Sequence, residues 1–171
     1  MKVFVAAYAA VPPGTFDPGA ESAVYAGLEA LGVAGLEQPY FGALHRHDEG
    51  FLLGQLRPGW DFVLTVLPGT MDRMNEDPHF GLASTSYDGR ARSLEFMHGA
   101  LMAVRTINAR LGRPAVRAVE VHSAPRPSPS ADRLAESLSE LRRWDWQGAA
   151  LLIEHCDAAR ADGAHDKGFL S

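Results

Sequence analysis

The stretch Ala149-Ala-Leu-Leu-Ile-Glu-His-Cys-Asp157 decides the fold class, because a continuous apolar run leads directly into four ionisable side chains. An apolar run of this kind is typical of a strand that is covered on both faces, as in the parallel sheet of an α/β protein. Ionisable groups at the end of such a strand are typical of an active site. We therefore predict a strand over residues 149–157 that presents functional groups at its carboxyl end.

A second stretch, Val116-Arg-Ala-Val-Glu-Val-His122, repeats this pattern. The carboxyl ends of parallel strands meet at one edge of a sheet, so both stretches should bring their polar groups to the same edge. Further apolar runs predict strands over residues 3–7, 33–39 and 62–67, and helix-periodic segments alternate with all of them. This strict β-α order favours a parallel sheet with right-handed crossovers.

The helix boundaries also carry local signals. Asp17-Pro18 supplies an N-cap and a first-turn proline, and Asp48 can cap a short helix. The longest apolar stripe runs from Leu94 to Leu111 and ends at Gly112. Residues 68–88 read instead as a long polar loop, which we interpret as a substrate lid that Arg73 anchors to an oxygen-rich substrate.

Composition limits the class of protein. The 171 residues are 46% hydrophobic and 22% charged, which predicts one globular domain over residues 1–171. A net charge of −5 without a local basic cluster gives no reason to expect nucleic acid or an anionic membrane as a partner. Cys156 is the single cysteine, no apolar stretch approaches the length of a membrane helix, and no convincing signal sequence is present, so we expect a cytoplasmic location.

Two architectures fit the order of elements. A (β/α)₈ TIM barrel uses a similar repeat but needs roughly 250 residues, so the chain would be an incomplete barrel of about five βα units. A five-stranded open sheet of the flavodoxin type fits the length, but it needs a final helix, and residues 158–171 are polar and carry no apolar stripe. We therefore predict the N-terminal portion of a barrel, truncated after its fifth strand.

Side-chain alternation places the strand-end acids on one face. Residues two apart on a strand share a face, so Glu37, Glu120 with His122, and Glu154 each end a file of smaller residues. Three glutamates on one face repel one another unless a cation, a hydrogen-bonding substrate or basic side chains compensate them. This pattern is typical of a barrel with carboxylates at its mouth.

Several motifs in order resemble one known family. They are Gly35-Leu-Glu-Gln-Pro-Tyr40, Leu64-Thr-Val-Leu-Pro-Gly-Thr-Met71, Phe80-Gly-Leu-Ala-Ser84, Val119-Glu-Val-His-Ser-Ala-Pro-Arg126, Leu152-Ile-Glu-His-Cys-Asp157 and Lys167-Gly-Phe-Leu-Ser171. The chain resembles the N-terminal part of an uncharacterised bacterial family, domain of unknown function 4862, which is related to xylose-isomerase-like TIM barrels.

The wider resemblance, to sugar isomerases and epimerases and to metal-dependent endonucleases of this barrel type, implies a metal ligand at Glu154. It also implies metal-assisted isomerisation or epimerisation of a small, polar, sugar-like substrate, with Mn, Mg, Co or Zn bound in the intact parent. Asp157 is a further candidate ligand. The remaining ligands of those relatives lie on later strands, so we expect no tight metal binding by this chain.

The other candidate residues follow from their positions at strand ends. Glu120 and His122 are expected to orient substrate hydroxyls as part of the catalytic site with Glu154, a structural salt link being the alternative. Glu37, His45 and His47 are expected to contact substrate, because loops after strands carry function in barrels.

Two non-catalytic alternatives stay open: a truncated gene product without activity of its own, and a complete open-sheet α/β module that binds a ligand or partner. A truncated barrel would leave two sheet edges unpaired, which predicts self-association through those edges.

Overall fold

The computed structural model describes residues 2–11, 15–127 and 129–154. Within these residues the strands are β1 (Phe4–Ala6), β2 (Gly35–Pro39), β3 (Asp61–Thr65), β4 (Val116–His122) and β5 (Ala150–Glu154). The helices are α1 (Ala7–Ala10), α2 (Pro18–Ala30), α3 (Glu49–Gln55), α4 (Leu67–Glu76), α5 (Tyr87–Leu111) and α6 (Ala131–Leu141).

The five strands form one parallel sheet whose spatial order, β1-β2-β3-β4-β5, equals their order in the chain. Each connection therefore moves to the next strand in the same direction. A flavodoxin-type sheet has the order 2-1-3-4-5, in which the direction reverses once. The flavodoxin-type alternative is wrong for this chain, and the prediction of a parallel α/β sheet is confirmed.

The sheet has one strongly apolar face, which the helices cover. Right-handed crossovers that all move in one direction place their helices on the same side. On that side Leu36, Phe62, Leu64, Val119 and Val121 are fully buried. Each of these three strands, β2, β3 and β4, has one position of intermediate burial on the opposite face, namely Glu37, Val63 and Glu120. The core therefore lies between the sheet and its helices, and the acids belong to the other face.

The local helix signals are confirmed. The Asp17 carboxylate accepts hydrogen bonds from the amides of Gly19 and Ala20, and that of Asp48 accepts one from the amide of Phe51 at 2.8 Å. Gly112 ends α5 in the left-handed conformation with φ of 65°, where a residue without Cβ is favoured.

None of the helices in the described part of the chain combines the length and the apolar character needed to cross a membrane.

The prediction that residues 68–88 form a loop is wrong in its first half, where α4 lies. Pro68 occupies the first turn of this helix, a position that proline tolerates because the first amides of a helix have no partner within it. The rest of the segment packs inward, with Phe80, Leu82 and Ala83 buried. A segment fixed by a helix and by buried apolar side chains does not have the form of a substrate lid.

An ion cluster closes the amino-terminal end of the sheet around Asp61. Its buried carboxylate accepts hydrogen bonds from Lys2 Nζ at 3.1 Å, Arg113 Nη1 at 2.8 Å and Arg117 Nη2 at 2.9 Å. Burial by itself would raise the pKa of Asp61, but the bonds from the arginines and the lysine outweigh it and hold the pKa well below the usual range. The cluster ties three separate segments of the chain to β3.

We expect Asp61→Asn to lower the free energy of unfolding by about 2 to 4 kcal/mol at pH 7, because it leaves three cations without their shared anion. A depressed carboxyl pKa contributes stability that is present above the unfolded-state pKa of about 4 and is lost as the pH falls below it. The difference between the variant and the natural protein should therefore shrink at pH 3. Urea unfolding at both pH values measures it.

Asp72→Asn is the matched control, since Asp72 pairs with Arg46 at 2.9 Å but both side chains are substantially exposed. Such a pair contributes at most about 1 kcal/mol. Equal losses for the two variants, or a loss at Asp61 that does not depend on pH, would contradict the role given to the cluster.

Candidate functional site

The acidic face is formed by Glu37 of β2, Glu120 of β4 and Glu154 of β5. All three lie at or near the carboxyl ends of their strands and are partly buried. Glu37 and Glu120 occupy the parity opposite to the fully buried Leu36, Val119 and Val121. The register pairs Glu154 with His122, which places Glu154 on the same face as Glu120. The three carboxylates predicted to share a face thus lie near the carboxyl edge of the sheet, where β4 and β5 are neighbours and β2 is separated from β4 by one strand.

Tyr8 joins the acidic face and was not predicted from the sequence. The short helix α1 begins directly after β1 and carries the Tyr8 hydroxyl to 3.5 Å from Glu37 Oε1. Half of the Tyr8 side chain is exposed. The one available sequence signal is its place just after a strand, where functional groups of parallel α/β proteins concentrate. The orientation of the Tyr8 side chain depends on α1, and a four-residue apolar segment is too short to predict a helix from the sequence.

Thr65 of β3 also reaches the acidic face, with its hydroxyl 3.4 Å from Glu154 Oε2. In register, Thr65 pairs with Glu120 and Glu120 with Leu152, so Glu154 lies two strands and two residues away from Thr65. In a flat sheet this offset separates the Cα atoms by roughly 12 Å, too far for two side chains that stand perpendicular to the sheet. The contact therefore requires a sheet that curls around the acidic face.

Burial and neighbouring carboxylates raise the pKa values of Glu37 and Glu120. Burial first, and then the charge of Glu154, raise the pKa of Glu37, while the Tyr8 hydroxyl partly opposes this. Burial and then the charges of Glu37 and Glu154 raise the pKa of Glu120. Burial and the same carboxylates also raise the pKa of Tyr8, so its hydroxyl stays protonated and acts as a donor.

His122 is buried at the end of β4, directly opposite Glu154 in the register. Its Nδ1 accepts a hydrogen bond from the amide of Ala124 at 3.0 Å, so the ring orientation is fixed by the backbone that follows the strand. A buried, oriented imidazole beside carboxylates suits a role in positioning groups at this edge.

His45 and His47 lie on the segment between β2 and α3. Both ring nitrogens of His45 are engaged, Nε2 with Glu21 and Nδ1 with backbone amides. His47 stacks on Phe16 with 5.3 Å between ring centroids. These histidines line a cleft beside the acidic face together with Tyr8.

Arg73, predicted to contact substrate, is used within the fold. Its Nη1 donates to the carbonyl oxygens of Phe41 at 3.0 Å and Gly69 at 3.1 Å, and its guanidinium lies 4.2 Å from the centre of the Phe96 ring. These contacts fasten α4 to the segment after β2. Arg73 also lines a shallow pocket beside α4 and α5, and its contact with substrate stays a prediction.

Within residues 2–11, 15–127 and 129–154, no group of three or more histidine, cysteine, aspartate or glutamate side chains is placed to hold a metal ion. Asp157, the further candidate metal ligand, lies outside the described residues.

The fold and the site together define a parallel α/β protein with a candidate acid–base site at the carboxyl edge of a singly wound sheet. The chain belongs to the family described as domain of unknown function (DUF4862), whose profile matches residues 4–171. The family expected from the sequence motifs is thus confirmed, and it is a family of unknown function.

The chain is also similar to the uncharacterized protein STM3670 of Salmonella typhimurium strain LT2, with 35% identity over 143 residues. The aligned part covers 81% of this chain and 45% of that protein. The chain thus spans less than half the length of the curated relative that it matches. No solved structure matches the chain significantly.

We expect Glu154→Gln to lower the pKa values of both Glu37 and Glu120, because it removes a negative charge that raises them. Tyr8→Phe should shift the pKa of Glu37 in the opposite direction, upward, because the carboxylate loses a hydrogen-bond donor. Titration of the glutamate side-chain carboxyl carbons by NMR measures each value.

Glu76→Gln removes the same charge from an exposed position of α4 and serves as the control. If the control moved the two pKa values as far as Glu154→Gln does, the coupling across the acidic face would be disproved.

Proposed function

We propose that the sheet is the first sector of a (β/α)₈ barrel. In an eight-stranded barrel of shear 8, residues at the same height on neighbouring strands are shifted by about one residue from the hydrogen-bonded register. Residues of alternate strands form each interior layer. The two-residue offset between Thr65 and Glu154, two strands apart, agrees with this rule. Glu37 and Glu120 obey it as well, since the register runs from Glu37 through Val63 to Ala118, two residues before Glu120.

We propose further that the acidic face transfers a proton between adjacent positions of a small sugar-like compound, as sugar isomerases and epimerases do. The observation that carries this proposal is the grouping of Glu37, Glu120 and the Tyr8 hydroxyl on one partly exposed face, where burial and neighbouring charges raise the pKa of both carboxyl groups. A raised pKa makes a carboxylate a stronger base for proton transfer.

In this mechanism one carboxylate removes a proton from the carbon beside the substrate carbonyl, which leaves an enediolate. Returning that proton to the former carbonyl carbon, while the hydroxyl proton moves from the neighbouring oxygen to the former carbonyl oxygen, gives the isomer. Returning a proton to the opposite face of the carbon that lost it gives the epimer. Glu120 suits the proton-transfer role because it lies between Glu37 and Glu154 in strand order. The protonated Tyr8 hydroxyl donates a hydrogen bond to the developing oxyanion.

The substrate class follows from the charge. Three neighbouring carboxylates repel anions, so a neutral sugar or polyol fits this face better than a phosphorylated sugar or a sugar acid. The hydroxyl of Thr65 and the carboxylate of Glu154 can both accept hydrogen bonds from substrate hydroxyl groups.

We include a divalent cation in the proposal only for a protein that contains the further strands of the barrel. The described side chains do not surround a metal ion, so no step is assigned to one. If Glu154 is a metal ligand, as the resemblance implies, the other ligands must come from outside the described residues.

A chain without activity of its own is the second candidate, and the length comparison favours it. The alignment covers 45% of the Salmonella relative, so the proposed barrel of that relative contains strands that this chain does not match. The acidic face would then bind a polyol without completing the proton transfer.

Exchange of substrate hydrogen into heavy water tests the proposal, with a panel of neutral aldoses and ketoses. We expect Glu120→Gln to lower the exchange rate by about a hundredfold or more, the usual loss when a general base is removed. Glu76→Gln should leave the rate unchanged, since it removes the same charge from an exposed helix.

The Salmonella relative is measured in parallel. Exchange by the relative but not by this chain would select the non-catalytic candidate, and exchange by neither protein would refute the isomerase and epimerase proposal.

A further inference from the structure

A cleft of about 340 Å³ lies beside the acidic face, between α1, α2, the end of β2 and the segment that follows β2. Its volume is within the range of small-molecule sites. We call it the Glu21 cleft. The lining residues that matter for its chemistry are Tyr8, Phe16, Glu21, Tyr25, Phe41 and His45.

Glu21 is a buried carboxylate, with 4% of its surface exposed. Its Oε1 lies 3.1 Å from His45 Nε2 and accepts a hydrogen bond from the Tyr25 hydroxyl at 3.4 Å. Burial, and then the charge of Glu21, raise the pKa of Tyr25, so this hydroxyl stays a donor. Both donors orient the carboxylate within the cleft wall.

His45 is oriented toward Glu21 by the backbone. Its Nδ1 accepts hydrogen bonds from the amides of His47 at 3.2 Å and Asp48 at 2.8 Å. The ring proton therefore lies on Nε2, where it is donated to the Glu21 carboxylate.

Among the described lining residues, no arginine or lysine pairs with Glu21. Arg46, the arginine that lines the cleft, pairs with Asp72 at 2.9 Å. The first turn of α2 adds a partial positive charge, equivalent at most to about half a unit. A cation entering the cleft would therefore meet a buried carboxylate that no arginine or lysine of the described residues already pairs.

The walls of the Glu21 cleft are aromatic. The rings of Tyr8, Phe16, Tyr25 and Phe41 line it, and aromatic faces attract cations. One such contact already exists in the wall, where the Arg46 guanidinium lies 3.8 Å from the centre of the Phe41 ring. A buried carboxylate surrounded by rings matches a small organic cation.

We propose that the Glu21 cleft binds a small organic cation, a primary amine or quaternary ammonium with a flat apolar body, whose charged group lies at Glu21. The ring body contacts Phe16 and Tyr8. Because Tyr8 also belongs to the acidic face, the bound cation lies next to the reacting groups. The proposal concerns binding alone and holds whether or not the acidic face transfers protons.

Isothermal titration of the unaltered chain with benzylamine and with benzyl alcohol is the first test. The two probes share size and ring, and at pH 7 only the amine is charged. We expect benzylamine to bind at least about tenfold more tightly. Equal affinities, or no heat of binding with benzylamine at millimolar concentrations, would overturn the proposal, and this comparison needs no variant that has to fold.

Three glutamine variants locate the binding. Glu21→Gln keeps the shape of the side chain and should weaken benzylamine at least about tenfold, while leaving benzyl alcohol unaffected. Glu29→Gln, on the outer part of the same helix, should bind as the natural chain does. Glu120→Gln separates the two sites: a loss in this variant and not in Glu21→Gln would place the cation on the acidic face and refute the assignment to the cleft.

Discussion

The direction of the crossovers is the constraint on which the rest of this structure depends. Every connection joins two parallel strands and moves to the next strand on the same side, and connections of this kind are right-handed as a rule. The helices then gather on one face, which buries Leu36, Leu64 and Val119 beneath them. The other face carries the strand-end glutamates and the Tyr8 hydroxyl of α1, and there the sheet curls and brings residues of alternate strands together.

The curl converts widely spaced carboxylates into one electrostatic unit. Glu37, Glu120 and Glu154 come from strands separated by long stretches of chain, yet each glutamate's charge enters the environment of Tyr8. Such an arrangement does not favour folding, because like charges on a partly buried face destabilise it. This repulsion destabilises the carboxyl edge of the sheet. The ion cluster of Asp61 stabilises the amino-terminal edge, and the apolar core stabilises the face that the helices cover.

The segment between β2 and α3 illustrates how one region can serve two neighbouring sites. The carbonyl of Phe41 is fastened by Arg73, and His45 is fastened by Glu21 and by the backbone of the next turn. The side chains of Phe41 and His45 line the Glu21 cleft rather than the acidic face. Tyr8 belongs to both sites, so a ligand in the cleft would change the surroundings of Glu37 through the Tyr8 hydroxyl.

The sequence by itself determined the parallel α/β class, the helix caps at Asp17 and Asp48, the stop at Gly112, the family and the parity of the glutamates. These features depend on local contacts or on strand alternation, which the order of residues fixes directly. The tertiary structure decided the order of the strands, the helix at 67–76, the engagement of Arg73 and His45 inside the fold, and the contributions of Tyr8 and Thr65. Each of these depends on which distant backbone or side chain fills the space beside a residue, and no local pattern in the chain encodes that.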